Sequence, residues 1–177
     1  MILRTSYFNQ LLQLRDQDLI KVVTGIRRCG KSTLLHAFKQ HLVTDGVAAD
    51  AICFLNFEER ENAHFQSWEQ VYDFIIGNLS AAAKRYVFLD EVQLIPQFEK
   101  LVDALYVKKD IDLYITGSNA YLLSSELSTM LSGRYIAINL HPFSFAEYVM
   151  AFPEVSDMGK LFRQYMNGSC FPESVTL

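Results

Sequence analysis

The sequence has few residues of several kinds, and each shortage excludes a class of protein. Three cysteines, Cys29, Cys53 and Cys170, occur in 177 residues, and their spacing fits neither a disulfide framework nor a zinc site. Four prolines and eight glycines leave no low-complexity tract or flexible linker. Lysine and arginine total 16 against 20 acidic residues, and the net charge of -4 argues against a chain that coats nucleic acid non-specifically.

Long hydrophobic runs are also missing. No apolar stretch approaches the roughly 20 residues that span a bilayer, and residues 1–10 do not resemble a secretory signal. We therefore expect no membrane partner and a reducing, cytoplasmic location. Hydrophobic residues make up 50% of the chain and aromatic residues 13%, which is enough to build the core of one globular domain.

Short apolar runs alternate with longer amphipathic segments along the chain. The predicted strands are residues 19–24, 51–56, 86–89, 111–116 and 135–140, and the predicted helices are residues 31–43, 68–83, 98–106 and 121–131. Nearly continuous apolar strands separated by helices predict an α/β fold with a parallel sheet covered on both faces. Right-handed crossovers place the carboxyl ends of such strands at one edge, where ligands bind.

A glycine-rich segment follows the first predicted strand. Residues 25–32, GIRRCGKS, match the pattern GxxxxGK[ST] between a strand and a helix. Gly25 and Gly30 let the backbone curl so that its amide groups and the helix N-terminus face phosphate oxygens. We expect Lys31 to reach the β- and γ-phosphates and Ser32 to offer a hydroxyl group to Mg²⁺. An ordinary glycine turn before a helix is the alternative.

Three neighbours complete the predicted nucleotide contacts. Arg28 lies in the variable part of the loop, where an arginine contacts phosphate or a partner, or is simply solvated. Cys29 has basic neighbours and a helix N-terminus, which would lower its thiol pKa, but a small residue that fits the loop is the favoured interpretation. Thr33 follows in the first helical turn.

Two adjacent acids end the third predicted strand. Asp90 is suited to hold Mg²⁺ because hard cations prefer carboxylate oxygen. Glu91 is placed to orient or deprotonate a water molecule that attacks the γ-phosphate. Because no acceptor-binding region is evident, the pair favours nucleotide hydrolysis over phosphoryl transfer to a small molecule.

Two further candidates follow the fourth strand and the fourth helix. Asn119 is a candidate to hold the lytic water opposite Glu91, while Ser118 and Asn119 also suit a helix cap. Arg134 is a candidate to neutralise charge on the γ-phosphate, from its own subunit or from a neighbour. A surface arginine after the glycine stop at Gly133 is the alternative.

Together these segments resemble the AAA+ superfamily of P-loop ATPases. Within it, GIRRCGKSTLL, VFLDEVQ, ITGSNAYLLSSEL, LSGRY and HPFSFAEY are similar to a prokaryotic group of predicted ATPases that usually carry a C-terminal nuclease-like domain. The resemblance implies a three-layer αβα sandwich with a parallel five-stranded sheet in the order 5-1-4-3-2. It also implies ATP and Mg²⁺ as cofactors, Asn119 at the first sensor position and Arg134 at the arginine-finger position.

The same resemblance divides the chain into two parts. Residues 1–150 correspond to the ATPase core, and residues 151–177 to the start of a truncated helical lid, in which Ser169 and Cys170 interrupt the usual Gly-Gly-aromatic-Pro-Glu pattern. We expect Mg²⁺-dependent ATP hydrolysis coupled to a conformational change, with self-association through Arg134. The alternatives are an ATP-binding switch or scaffold with negligible turnover and a P-loop small-molecule kinase.

Overall fold

The computed structural model describes residues 4–117, 131, 133–168 and 170–172, and in this part of the chain five strands form one parallel sheet. The strands are β1 (Ile20–Gly25), β2 (Ile52–Asn56), β3 (Arg85–Asp90), β4 (Ile111–Gly117) and β5 (Tyr135–Leu140). Their order is β2-β3-β4-β1-β5, and every pairing is parallel. The predicted α/β class and the predicted order 5-1-4-3-2 are confirmed.

Six α-helices accompany the sheet in the described residues. They are α1 (Thr5–Leu14), α2 (Lys31–Thr44), α3 (Trp68–Asn78), α4 (Phe98–Tyr106), α5 (Phe145–Met150) and α6 (Met158–Asn167). None of them is long and apolar enough to cross a membrane. The helix predicted for residues 121–131 lies outside the described residues, apart from the buried Leu131.

Alternation along the strands divides the core into two clusters, one on each face of the sheet. In β3, Val87 and Leu89 pack into one cluster, while Tyr86 and Phe88 pack into the other, as the two-residue period of a strand requires. The first cluster includes residues of α3 and α4, and the second includes residues of α1 and α2. Helices therefore cover both faces, which gives the three-layer αβα arrangement.

Helix α1 is an element that the apolar pattern did not predict. Its N-cap residue, Arg4, makes no side-chain cap hydrogen bond, so the start of the helix carries no capping signal. Phe8 and Leu11 are nevertheless buried, and the ring of Phe8 packs edge-on against Phe38 of α2, with 5.8 Å between the ring centroids. Tertiary packing against α2 stabilises this helix.

Helix α3 ends five residues earlier than the predicted helix over residues 68–83. The chain leaves helical geometry at Leu79, which is buried, and the next amide group, that of Ser80, donates to the carbonyl oxygen of Asp50 at 2.9 Å. This long-range contact satisfies the backbone in place of a further helical turn. A small alanine-rich segment has no local signal that would stop the helix there.

A buried ion pair lies near the amino ends of the central strands. Lys21 of β1 and Asp112 of β4 are both inaccessible to solvent, and their Nζ and Oδ1 atoms are 2.5 Å apart. The other oxygen of Asp112 accepts from the Tyr114 hydroxyl at 2.9 Å and from the Asp16 amide at 2.8 Å. Burial lowers the pKa of Lys21 and the negative charge of Asp112 opposes that shift. This pair fixes β1, β4 and the loop before β1 to one another.

We expect Asp112→Asn to lower the free energy of unfolding by about 3–5 kcal/mol, because it leaves the Lys21 ammonium buried without a counter-charge. The asparagine oxygen can still accept from Tyr114. Adding Lys21→Met should recover most of the loss. Urea denaturation measures both effects, with the exposed Asp73→Asn as the control. A loss below about 1 kcal/mol, the range of exposed pairs, would contradict this account.

Candidate active site

The loop between β1 and α2 has the backbone geometry of a phosphate cradle. Gly25 has φ of +152°, and a Cβ atom there would lie 2.4 Å from the carbonyl oxygen of Leu140, so a side chain does not fit. Gly30, with φ of +93°, precedes the first residue of α2. Arg28 also has a positive φ, +68°, which is uncommon for a residue with a side chain and occurs where ligands are held.

Lys31 folds back over this loop and reaches the neighbouring strand. Its side chain is 6% exposed, and its Nζ atom donates to the Gly25 carbonyl oxygen at 3.3 Å. The same Nζ lies 3.3 Å from Oε1 of Glu91. The lysine of the glycine loop and the second acid of the strand end, which are 60 positions apart in sequence, therefore share one site.

The hydroxyl group of Thr116 joins the two acids. Thr116 is fully buried in β4 and donates to Oδ1 of Asp90, while it accepts from the Glu91 amide at 2.9 Å. Glu91 itself has φ of +54°, outside the geometry of β3. This contact turns the chain after Asp90, so that Asp90 stays at the strand end while Glu91 faces the loop.

Asp90 also has an atom that suits a cation. Its Oδ2 is buried and has no hydrogen-bond partner among the described residues. A buried carboxylate oxygen without a partner is costly, and carboxylate and hydroxyl oxygens are ligands that Mg²⁺ accepts. Ser32, in the first turn of α2, supplies a hydroxyl group at the same edge of the sheet. The residues present therefore fit a magnesium ion.

Thr116 and Gln93 both contact the acid pair, and the sequence analysis assigned neither of them a role. Gln93 lies in the short 3₁₀ turn Val92–Leu94 directly after Glu91. Its Nε2 atom donates to Oε2 of Glu91 at 2.6 Å. A glutamine two residues after an acid is an ordinary surface pattern, so only the turn geometry shows the contact.

A buried arginine supports the glycine loop from behind. Arg4 is 5% exposed and donates from Nη1 to the carbonyl oxygen of Cys29 at 3.2 Å and to that of His141. Its other nitrogens hold the carboxylate of Glu147 at 2.8 and 2.9 Å. Glu147 in turn accepts from the amide and hydroxyl groups of Ser144 at the start of α5. Arg4 therefore links the N-terminus, the loop and α5.

Burial is the main influence on the thiol pKa of Cys29. Its side chain is inaccessible, and this burial raises the thiol pKa more than the charges of Lys31 and Arg4 lower it. The basic surroundings noted in the sequence therefore do not produce a low thiol pKa. Cys29 fills space beside Gly25, where its Sγ atom would lie 2.7 Å from a Cβ atom.

Arg134 lies far from the glycine loop of its own chain. It precedes Tyr135, which pairs with Ile20 at the amino end of the sheet, whereas Leu140 pairs with Gly25 at the other end. Six residues of extended strand separate those ends by roughly 17–20 Å. The half-exposed guanidinium of Arg134 donates to Asp103 of α4 at 2.9 Å. The Arg134 side chain therefore faces α4 and not the glycine loop of its own chain.

Some of the remaining predicted residues lie in the described part of the chain and others do not. Thr33 is exposed at the start of α2. Ser118 and Asn119 lie outside the described residues. The described part of the predicted lid returns to the site: the Phe143 amide donates to the Cys170 carbonyl oxygen at 2.8 Å, and Pro172 lies 3.6 Å from the position of a Cβ atom on Gly30.

The fold and the site define a P-loop domain, in which a glycine loop, a helix N-terminus and a strand-end acid pair meet at the carboxyl edge of a parallel sheet. The model of the AAA domain family matches residues 17–149. The chain belongs to this family, which confirms the AAA+ resemblance. The nuclease-like C-terminal domain that the resemblance also implies stays a prediction.

Two curated relatives are uncharacterized proteins. The chain is 40% identical to one from Haemophilus influenzae, over 99% of this chain and 45% of that protein. It is 29% identical to one from Methanocaldococcus jannaschii, over 73% of this chain and 28% of that protein. The chain thus spans less than half the length of either relative.

Three solved structures share the fold at low sequence identity. A Walker-type ATPase of Pyrococcus abyssi matches with a TM-score of 0.66 and 17% identity, over 99% of this chain and 66% of the other. Cdc6p of Pyrobaculum aerophilum matches with a TM-score of 0.58 and 12% identity, over 89% and 49%. PCH-2 of C. elegans matches with a TM-score of 0.51 and 19% identity, over 88% and 46%.

The contact between Arg4 and Glu147 predicts a pH-dependent contribution to stability. Burial acts to raise the pKa of Glu147, but hydrogen bonds from Arg4 and from the Ser144 amide outweigh it and hold that pKa below its ordinary value of about 4.5. A carboxyl with a lowered pKa stabilises the fold above its unfolded pKa and loses that contribution as pH falls through the folded value.

At pH 7, Glu147→Gln should lower the free energy of unfolding by about 1.5–3 kcal/mol, the range for hydrogen bonds to charged groups. The difference from wild type should shrink below about pH 4.5. Urea denaturation at pH 7 and pH 4 measures it, with the exposed Glu154→Gln as the matched control. An equal difference at both values would show that the charge of Glu147 contributes nothing.

Proposed function

We propose that this domain binds ATP with Mg²⁺, hydrolyses the bond between its β- and γ-phosphates and couples hydrolysis to a conformational change. The observation that carries the proposal is the convergence at one sheet edge of Lys31 and Glu91, 3.3 Å apart between Nζ and Oε1, with Asp90 joined to Glu91 through Thr116. A cation for the phosphates, an acid for the metal and a base for water are the groups this reaction needs.

Binding depends on the loop and on Lys31. Amide groups between Gly25 and Lys31, together with the N-terminus of α2, favour the negative charge of phosphate. Phosphate oxygens compete with Glu91 for the Lys31 ammonium, so entry of the nucleotide breaks the ion pair between them. Arg28, Cys29 and Thr33 stay proposed contacts with the nucleotide.

Ser32 and Asp90 are the residues that would hold Mg²⁺. When bound, the ion would supply positive charge to the β- and γ-phosphate oxygens and offset charge that develops during the reaction. The unpartnered Oδ2 of Asp90 supports this assignment. Thr116 orients the carboxylate through its other oxygen.

Glu91 acts as the general base. Once Lys31 contacts phosphate, the Glu91 carboxylate is available to accept a proton from the attacking water, which adds to the γ-phosphorus as the bond to the β-phosphate oxygen breaks. We propose that the Asn119 amide holds the same water. Phosphate and ADP are the products, and no other acceptor is needed.

Two contacts support coupling between the nucleotide and the rest of the chain. Arg4 connects the Cys29 carbonyl of the loop to Glu147 of α5, and Pro172 packs near Gly30. A change in the loop therefore alters packing in the segments before α1 and after α6. We propose that residues 1–150 are the ATPase core, that residues 151–177 begin a helical lid, and that the protein works in the cytoplasm.

Two other functions use the same loop. A nucleotide-loaded switch or scaffold would bind ATP without turnover, and a small-molecule kinase would require an acceptor. The contact between Lys31 and Glu91 favours hydrolysis, because it places a carboxylate at the phosphate-binding lysine. Formation of ADP without any acceptor distinguishes the ATPase from both alternatives.

Lys31→Ala and Glu91→Gln should separate binding from chemistry. Loss of the Lys31 ammonium should weaken ATP binding about 10- to 100-fold, as expected for one charged hydrogen-bonding group. Glu91→Gln should still bind ATP, while turnover falls about 10²- to 10⁴-fold, since the general base is lost. Calorimetry measures binding, and ADP formation measures turnover.

Lys39→Ala and the exposed Glu69→Gln are the matched controls, since they make the same changes away from the site. Wild-type turnover by Glu91→Gln would remove Glu91 from the mechanism. Unchanged affinity in folded Lys31→Ala would contradict the phosphate site itself.

Arg134 points to catalysis between subunits. Its place at the amino end of the sheet, away from its own glycine loop, supports contact with the γ-phosphate of a neighbouring copy. An inserted arginine is worth about 10³- to 10⁵-fold in rate. We therefore propose self-association in which Arg134 of one copy completes the site of another.

Specific activity should rise with protein concentration, and a mixture of Arg134→Ala with Glu91→Gln should recover activity that neither variant has alone. Each variant supplies the group that the other lacks. Rates measured across a concentration series test this, with the exposed Arg60→Ala as the control. A concentration-independent rate that Arg134→Ala does not change would show that Arg134 is a surface residue.

A further inference from the structure

The carboxylate of Glu91 is held from two sides by groups of different kinds. Lys31 contacts Oε1 at 3.3 Å, and the Gln93 amide nitrogen contacts Oε2 at 2.6 Å. The first partner belongs to the phosphate-binding loop, whereas the second belongs to the turn that carries Glu91 itself. The second contact lies within the turn that carries Glu91, so it does not depend on where Lys31 points.

The orientation of the Gln93 amide follows from charge. A carboxylate accepts hydrogen bonds and cannot donate them, so the NH₂ group and not the carbonyl oxygen must face Glu91. This leaves Oε1 of Gln93 on the other side, where it is buried and accepts from no described residue. The Gln93 side chain thus donates to Glu91 through Nε2 and keeps an acceptor, Oε1, beside the base.

The backbone of Glu91 is held in place, so only its side chain can change orientation. The Glu91 amide is bound to Thr116 at 2.9 Å, and φ of +54° is set by the turn that follows. Where the carboxylate points therefore depends on its own torsion angles. Without a second partner, a glutamate side chain samples several rotamers, and only some of them face the loop.

We propose that Gln93 is a positioning residue for the general base, which holds the Glu91 carboxylate toward the attacking water after Lys31 has moved to the phosphates. This inference rests on the proposed ATPase function. Gln93 contacts neither nucleotide nor metal in this account. Its effect is on the fraction of bound complexes in which the base faces the water.

Gln93→Leu should lower kcat for ADP formation about 10- to 100-fold, the rate equivalent of one hydrogen bond to a charged group. KM and ATP affinity should stay near wild type, because the loop and Lys31 are intact. Gln93→His should recover part of the rate, since the imidazole Nε2 lies at a similar distance along the side chain and can donate. The exposed Gln40→Leu on α2 is the matched control.

Two further measurements separate positioning from a general structural effect. Combined with Glu91→Gln, Gln93→Leu should cause no additional loss of rate, because the group that it orients is already gone. Gln93→Leu should also weaken binding of ADP with aluminium fluoride, a transition-state analogue, without weakening binding of ADP alone. A structural defect would weaken both and would lower the midpoint of urea unfolding.

The outcomes distinguish this inference from the proposed function. If the wild type binds ATP and forms no ADP at any protein concentration, the ATPase proposal fails. If the wild type hydrolyses ATP and Gln93→Leu has the same kcat, the role of Gln93 is overturned and the ATPase proposal stands. A faster Gln93→Leu would also overturn it, because the amide would then restrain the base.

Discussion

The hydroxyl group of Thr116 is the contact on which the geometry of the candidate site depends. Thr116 belongs to β4, yet it bonds the carboxylate of Asp90 and the amide of Glu91 on β3. One buried group therefore holds two adjacent acids in different directions, the first along the strand and the second toward the glycine loop. A methyl group in place of this hydroxyl would leave a buried amide and a buried carboxylate oxygen without a partner.

The parallel sheet places that contact beside the loop. Because β4 lies between β3 and β1, the carboxyl end of β4 adjoins both the acid pair and the loop that follows Gly25. Lys31 spans the remaining gap to Glu91. Strand order thus determines which chemical groups meet, whereas the loop sequence determines only that one of these groups is an ammonium.

Polar burial occurs at both ends of the sheet, with different consequences. Near the amino ends, Lys21 and Asp112 satisfy each other and their neighbours, while Nε of Arg85 at the start of β3 has no partner among the described residues. At the carboxyl ends, Asp90 Oδ2 and Gln93 Oε1 remain unpartnered among the described residues. Unpartnered buried acceptors are costly in a folded chain and are common where a ligand is to be bound. Both unpartnered atoms at the carboxyl edge are acceptors beside Lys31 and the glycine loop, which supports that edge as the functional one.

The chain behind the loop adds a constraint that is independent of the sheet. Arg4 is bound to the Cys29 carbonyl, to the His141 carbonyl and to Glu147, so the segment before α1 and the segment after β5 both depend on the position of the loop. Arg134, in contrast, is directed away from this site and toward α4. The domain thus has an internal link between its glycine loop, the segment before α1 and α5, and Arg134 takes no part in that link.

Apolar periodicity and motif spacing are local properties, so they predict the α/β class, the extents of most strands and the loop between Gly25 and Ser32. The sequence also indicated Asp90 and Glu91, which directly follow an apolar run. The strand order came from family resemblance and is confirmed. Helix α1 was not predicted, and its packing against α2 identifies it, since its start, like those of α2 and α4, has no side-chain cap hydrogen bond.

The contacts between groups that are distant in sequence are visible only in the folded chain. Thr116 and Glu91 are 25 residues apart, and Arg4 and Glu147 are 143 apart. Cys29 has basic neighbours in sequence, yet its burial raises the thiol pKa. The strand register places Arg134 at the amino end of the sheet, which its position in the sequence does not reveal. Contacts, burial and distance arise from long-range packing, which local sequence patterns do not encode.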